Sequence, residues 1–308
     1  MKQNFWIDAH HHLWRYNAEE YSWMSERMNV LRRDFDIAEL QTLANEHSVL
    51  GTVAVQARQT LAETEWLLDT AEQTSLIRGV VGWVPLTHPA LEQQLDRLRA
   101  HSLLRGVRHV LHDEADPDYM LRGDFNAGIR LLERYGLRYD LLVFAEHLPQ
   151  TIEFVDRHPN QIFVLDHIAK PHIAAGEIEP WSRQLYALSE RQNVCCKISG
   201  MVTEADWQQW TETQLEPYLE TILSAFGSSR LMFGSDWPVL TLASSYGRWI
   251  GAVGQVVERL SDAEAADIMW RTAQRVYGLE PCSDSISSTN HCDSTTEESG
   301  SGERNAHD

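Results

Sequence analysis

Near the N-terminus the chain reads Asp8-Ala9-His10-His11-His12. Side chains alternate along an extended strand, so His10 and His12 share one face and His11 takes the other. Two neutral imidazoles at this spacing make a bidentate platform for zinc, iron or nickel. The plainer use is three polar histidines in a loop. Far along the chain, Phe233-Gly234-Ser235-Asp236-Trp237-Pro238 sets Asp236 at the end of an apolar run. A carboxylate buried there needs a cation or a proton donor to offset its desolvation. A helix N-cap ahead of Trp-Pro is its ordinary alternative. Leu165-Asp166-His167 ends another apolar run. Alternation allows only one of Asp166 and His167 to face inward, and His167 is the expected one.

Other apolar runs also end in polar or aromatic residues: Gln56, Trp83, Arg108-His109, Asp140 and Lys197. Lys197 follows Val194-Cys195-Cys196, so its ammonium needs a partner inside the protein. Arg108 could fork onto a carboxylate or a carbonyl. Structural ion pairs are the competing explanation for each. Joined by Trp14 and Trp237, these residues would line a site for a polyhydroxylated small molecule, with aromatic faces on C–H surfaces and charged groups on hydroxyls.

The elements needed to bring such residues together can be read from periodicity. Runs rich in β-branched and aromatic residues predict strands at Phe5–His10, Leu50–Gln56, Gly79–Val84, Gly106–Val110, Tyr139–Val143, Ile162–Asp166, Val194–Ile198 and Leu231–Gly234. Apolar residues three or four apart predict helices at Leu61–Thr74, Pro89–His101, Phe125–Tyr135, Leu148–His158, Pro180–Gln192 and Leu215–Phe226. Two more follow near Tyr246–Leu260 and Asp262–Tyr277. Eight strands in alternation with helices predict an α/β fold, a closed (β/α)8 barrel, in which chemistry collects at the carboxyl ends of the strands. The first strand ends in histidines, without the glycine fingerprint of a dinucleotide-binding sheet. On this reading His10, His12, His167 and Asp236 all reach one mouth.

The chain has 308 residues, 43% hydrophobic and 23% charged, with 45 acidic against 26 basic residues and a formal net charge of −19. That length can bury a single large core, and α/β barrels routinely use about 250 residues as one unit. The acidic balance repels phosphate backbones and anionic lipid, so neither nucleic acid nor a membrane is an expected partner. No stretch reaches the ~18 apolar residues of a membrane span. Met1–Trp6 meets Asp8 before any apolar region develops, which argues against a signal peptide. Four cysteines, two adjacent, make neither a disulfide framework nor a zinc knuckle, and the cytoplasm is the expected compartment. Composition changes after Leu279. Residues 281–308 are rich in Ser, Thr and acids, with net −5 and Ile286 as the only large aliphatic residue. The expected division is a barrel over 1–280 and a disordered acidic tail over 281–308.

Taken together, Asp8-Ala9-His10-His11-His12-Leu13-Trp14, Leu104-Arg105-Gly106-Val107-Arg108-His109, Asp166-His167-Ile168-Ala169-Lys170-Pro171, Cys196-Lys197-Ile198-Ser199-Gly200 and Phe233-Gly234-Ser235-Asp236-Trp237-Pro238 resemble the amidohydrolase superfamily. They are closest to its amidohydrolase-2 branch, which holds sugar lactonases of the L-fuconolactonase and L-rhamnono-γ-lactonase kind. The resemblance covers about residues 5–279. It implies a distorted (β/α)8 barrel that hydrolyses a cyclic ester with an activated water. By the same resemblance His10, His12 and Asp236 match metal or metal-equivalent positions, and His167 a strand-end histidine that ligates or polarises the carbonyl. The fourth strand ends in Arg108-His109, with no lysine to be carbamylated as a bridge, which argues against a two-metal site. One divalent ion, zinc by donor type, or metal-independent catalysis are the alternatives left.

The expected function is therefore hydrolysis of a small sugar-acid lactone by a water that Asp236 activates, with His167 as the second catalytic residue. Substrate contacts are expected from Trp14, Gln56, Trp83, Arg108, His109, Asp140, Lys197 and Trp237, and a homo-oligomer is allowed. A hydrolase or decarboxylase of an aromatic or dicarboxylate substrate is the alternative, and a non-enzymatic binding barrel a third reading. No Gly-x-Ser-x-Gly elbow or P-loop supports a serine hydrolase or a nucleotide enzyme.

Overall fold

A computed structural model describes residues 5–280. The expected acidic tail lies outside the described residues. Eight strands form one parallel sheet in sequence order: β1 (Trp6–His11), β2 (Val49–Val55), β3 (Ile77–Gly82), β4 (Leu104–Val110), β5 (Arg138–Leu142), β6 (Phe163–Leu165), β7 (Val194–Ile198) and β8 (Leu231–Phe233). Each expected strand is present, displaced by at most a few residues. The ring closes through backbone hydrogen bonds past the end of β8. Asp236 N donates to His10 O at 2.8 Å and His12 N to Trp237 O at 2.6 Å. The fold is a (β/α)8 barrel.

The helices are α1 (Ile37–Glu46), α2 (Leu61–Glu72), α3 (Leu91–Leu98), α4 (Gly123–Arg134), α5 (Leu148–Asp156), α6 (Trp181–Ser189), α7 (Met201–Glu204), α8 (Glu212–Phe226), α9 (Tyr246–Val257), α10 (Asp262–Ala266) and α11 (Thr272–Tyr277). The expected helix over Asp262–Tyr277 is continuous, with a π turn at Asp267–Arg271 joining its two halves. Helix α1 was not expected. Only Leu40 and Ala44 are buried along it, too thin a stripe to mark a helix, and its start is fixed instead by Asp36, whose side chain accepts from Ala38 N and Glu39 N.

Inside the ring, Ile7, Val53, Val55, Val81, Val164 and Met232 make an apolar plug with Val276 and Tyr277 from the C-terminal helix and Leu279 just beyond it. A second, larger core lies between the strands and the surrounding helices. The β1–β2 register shifts between Asp8 and His11, as an extra residue in one strand requires. That irregularity separates Asp8, which turns out toward α9, from His10, which turns into the barrel. A long excursion between β1 and α1 carries Trp14, Tyr21, Trp23 and a 3-10 turn, Glu26–Leu31, over the carboxyl end of the barrel.

Candidate active site

The four residues singled out for chemistry converge. Asp236 Oδ1 lies 3.4 Å from His12 Nε2, 3.7 Å from His10 Nε2 and 3.9 Å from His167 Nε2. His10 Nε2 and His12 Nε2 are 3.3 Å apart. All four side chains are buried.

Each is set by local backbone. His12 Nδ1 lies 2.8 Å from Val55 O. A carbonyl only accepts, so Nδ1 carries a proton there and Nε2 is aimed at Asp236. His167 Nδ1 meets Ser199 Oγ at 2.9 Å, which aims its Nε2 at the same carboxylate. Both His167 and Asp236 have left-handed backbone, with φ of 52° and 58°. Non-glycine residues hold such angles only where the surroundings impose them, commonly at functional sites. Gly200 makes the room. A Cβ there would stand 2.6 Å from the His167 ring, and its own φ is +64°. Asp8 fastens the mouth from outside, accepting from Ser235 N at 2.8 Å, His10 N at 3.1 Å and the Tyr246 hydroxyl at 2.9 Å.

The strand-end parity of Asp166 and His167 is corrected. Strand β6 stops at Leu165, and His167 to Lys170 all take positive φ, so alternation no longer applies and both side chains face the site. Asp166 Oδ2 accepts from Arg108 Nη1 at 3.0 Å, and Asp166 Oδ1 is 2.9 Å from Lys197 Nζ and 3.3 Å from His10 Nδ1. Lys197 Nζ also donates to Asp140 Oδ2 at 2.6 Å and approaches His10 Nδ1 at 3.1 Å. The Tyr277 hydroxyl, from the C-terminal helix, donates to Asp140 at 2.8 Å. Gln56 Oε1 accepts from Arg108 Nη2 at 3.0 Å.

Above this charged layer opens a cavity of about 510 Å³. His12, Trp14, Arg108, His167 and Asp236 border it. Gln56, Trp83, His109, Asp140, Lys197 and Trp237 do not. Gln56, Asp140 and Lys197 do point into the barrel, but their polar atoms are taken up by one another and by Arg108, Asp166 and Tyr277. Trp83 donates to His109 Nδ1 at 3.2 Å, and His109 Nε2 meets Glu114 at 2.6 Å, a closed chain beside the cavity. Trp237 stands edge-on to Phe35, 5.4 Å between centroids. Two aromatic walls come from loops that periodicity does not reach: Trp23, edge-on to Trp14 at 6.2 Å, and Trp207.

Burial disfavours charge on His167 and His10, while Asp236 keeps its charge. Burial lowers His167 to about 3 and takes His10 well below its ordinary value, Lys197 adding to the effect on His10. Burial alone would raise Asp236, but His167, His12 and His10 overcome it and hold the carboxyl below its usual range. Asp166 behaves likewise under Lys197, His10 and Arg108. Burial raises Asp140 to about 6 against the pull of Lys197.

Neutral imidazole nitrogens and a carboxylate are also zinc donors. Donors at ~2.0–2.1 Å around a tetrahedral ion stand about 3.4 Å apart, close to the 3.3, 3.4 and 3.7 Å spacings among His10 Nε2, His12 Nε2 and Asp236 Oδ1. His167, 3.9 Å from Asp236, groups instead with His10 and Asp166. His12 Nε2, opposite the Nδ1 that Val55 O engages, fits that role. Arg108 Nη1, 3.4 Å from His10 Nε2, and Lys197 Nζ, 3.1 Å from His10 Nδ1, are cations that oppose a metal there, and Asp166 pairs with both. The donor set fits one divalent ion.

The family model described as Amidohydrolase matches residues 7–279. The chain belongs to the amidohydrolase family. Among amidohydrolase relatives it is 40% identical to an L-fucono-1,5-lactonase of Burkholderia multivorans, over 89% of this chain and 96% of that protein. It is 35% identical to an L-fucono-1,5-lactonase of Burkholderia ambifaria, over 90% and 94%. A crystal structure of a B. multivorans amidohydrolase with bound zinc superposes with a TM-score of 0.86 at 40% identity, covering 90% of this chain and all of that one.

Proposed function

We propose that this amidohydrolase hydrolyses a small neutral sugar lactone, of the L-fucono-1,5-lactone class, to the open-chain acid. The observation that carries the reading is Asp236, an ionised carboxylate ringed by three imidazoles at the edge of the aromatic-walled cavity. The lactonase relatives, similar over nearly their whole length, support it.

Asp236 serves as general base. It takes a proton from a water beside it as that water's oxygen bonds to the lactone carbonyl carbon. Arg108 and His167 border the place where charge develops on the carbonyl oxygen, and such donors typically contribute ~10²–10³ in rate. Collapse of the tetrahedral adduct breaks the bond to the ring oxygen, and Asp236 returns its proton to that alkoxide. Water is thereby split between acid and alcohol. A divalent ion held by His10, His12 and Asp236 would supply Lewis acidity, acidifying water and polarising the carbonyl. Trp14, Trp23 and Trp207 offer stacking faces for the ring. Gln56, Asp140 and Lys197, expected as substrate contacts, act here as positioning residues: they hold Arg108, Asp166 and His10.

The cavity's charges argue against the dicarboxylate alternative. Each bordering cation is paired: Arg58 with Glu20 at 2.5 Å, Arg108 with Asp166 at 3.0 Å and Lys170 with Glu204 at 2.5 Å. A dianion would have to displace a carboxylate, whereas a neutral ring would not. The test is a panel of aldonolactones assayed by acid release with a pH indicator. Turnover of a 6-deoxyhexono-1,5-lactone is expected. Silence across the panel would remove the lactonase reading.

A further inference from the structure

The proposed reaction leaves one histidine of the cavity wall without a task. His112 sits in a short turn, Leu111–Asp113, directly after β4, and borders the cavity. Its Nδ1 is 2.8 Å from Asp113 Oδ1. A carboxylate accepts, so Nδ1 carries the proton. The ring also lies 4.5 Å from Phe144, centroid to centroid, which fixes its orientation from the other side. Burial takes this imidazole down to about 4 against the pull of Asp113. The neutral ring therefore presents Nε2 as a bare acceptor, and no described residue bonds it.

Gln59 supplies the opposite polarity. Its Oε1 accepts from Val110 N at 2.9 Å, two residues before His112. That bond fixes the amide and leaves its NH2 group, a pure donor, without a partner among the described residues. Gln59 too borders the cavity.

We propose that His112 Nε2 and the Gln59 NH2 group read hydroxyls of the substrate, one accepting and one donating, and so select a polyhydroxylated lactone over a bare ring. A hydroxyl satisfies both groups because it donates and accepts. An aliphatic ring satisfies neither and covers two polar groups without replacing their water. The inference rests on the lactonase reading and adds to it the residues that choose the substrate.

The test compares L-fucono-1,5-lactone with δ-valerolactone in the wild type, His112→Ala and Gln59→Leu, with L-fucose binding measured by titration calorimetry in parallel. Each variant is expected to lower the ratio of kcat/KM values, sugar lactone over valerolactone, by roughly 10- to 100-fold. The change falls mainly in KM, and L-fucose binding weakens to match. Gln59 is exposed, so its variant separates recognition from folding. Ratios within about twofold of wild type in both variants would overturn the proposal, as would equal losses on both lactones. Should the wild type hydrolyse neither lactone, the lactonase reading falls by itself. L-fucose binding then decides this one: weaker in the variants supports it, and equal or absent in all three proteins overturns it.

Discussion

A carboxylate out of water keeps its charge only where neighbours replace the lost hydration. Asp236 has three imidazoles within 3.9 Å, and each nitrogen that faces it is aimed from behind: His12 by Val55 O, His167 by Ser199, His10 by Lys197 and Asp166. Two predictions belong here. Gly200→Ala drives a Cβ into the His167 ring and strains a backbone at φ +64°. It should lower kcat at least ~10-fold, since misplacing a reacting group by about 1 Å can cost ~10², and cost ~1–3 kcal/mol of stability. A kcat within twofold of wild type, measured beside a melting curve, would mean that the position of His167 is immaterial. Zinc should raise the melting temperature of metal-free protein, by about 2.7 kcal/mol of stabilisation at ~100 times its Kd, and His12→Ala should abolish that rise. An identical rise in the variant would exclude this donor set.

Among the elements, α2 carries a group with its own pH signature. Glu63, fully buried, accepts from Ala57 N at 3.0 Å and Arg58 N at 2.7 Å, yet burial raises its carboxyl to about 7 from 4.5. The folded state then holds a proton that the unfolded chain releases, so its contribution to stability falls as pH rises from about 4.5 through 7. Glu63→Gln removes that dependence. The variant should gain on wild type between pH 5 and 8, by up to about 3 kcal/mol, in denaturant titrations at each pH. A constant difference would contradict the assignment. Strand ends were the legible part of these elements. Alternation placed His10 and His12 on one face, and closure of the ring brought Asp236 to them from the far end of the chain. Alternation failed at Asp166-His167, where the strand ends early and a left-handed turn follows without a glycine to mark it. It also carried no depth: Asp140 and Lys197 face inward as their parity requires, but beneath the cavity, spent on one another. Trp23, Trp207 and His112 sit on loops or turns, where no period points inward.

Across the whole molecule, the C-terminal helix stoppers the barrel with Tyr277 while the excursion after β1 roofs the other end with Trp14 and Trp23. Chemistry is confined to the space between. A net charge of −19 and a cavity whose cations are already paired should make anionic substrates poor. 2-Pyrone-4,6-dicarboxylate is expected to be turned over at least ~10²-fold less efficiently than a neutral sugar lactone, and equal efficiency in a direct competition assay would contradict that. The most direct measurement follows acid release from L-fucono-1,5-lactone by Asp236→Asn, with its unfolding curve and L-fucose affinity recorded alongside. A folded variant that still binds the sugar but turns over less than a few per cent as fast as wild type is the predicted result. A folded variant that keeps more than that rate would take the carboxylate, and the account built on it, out of the reaction.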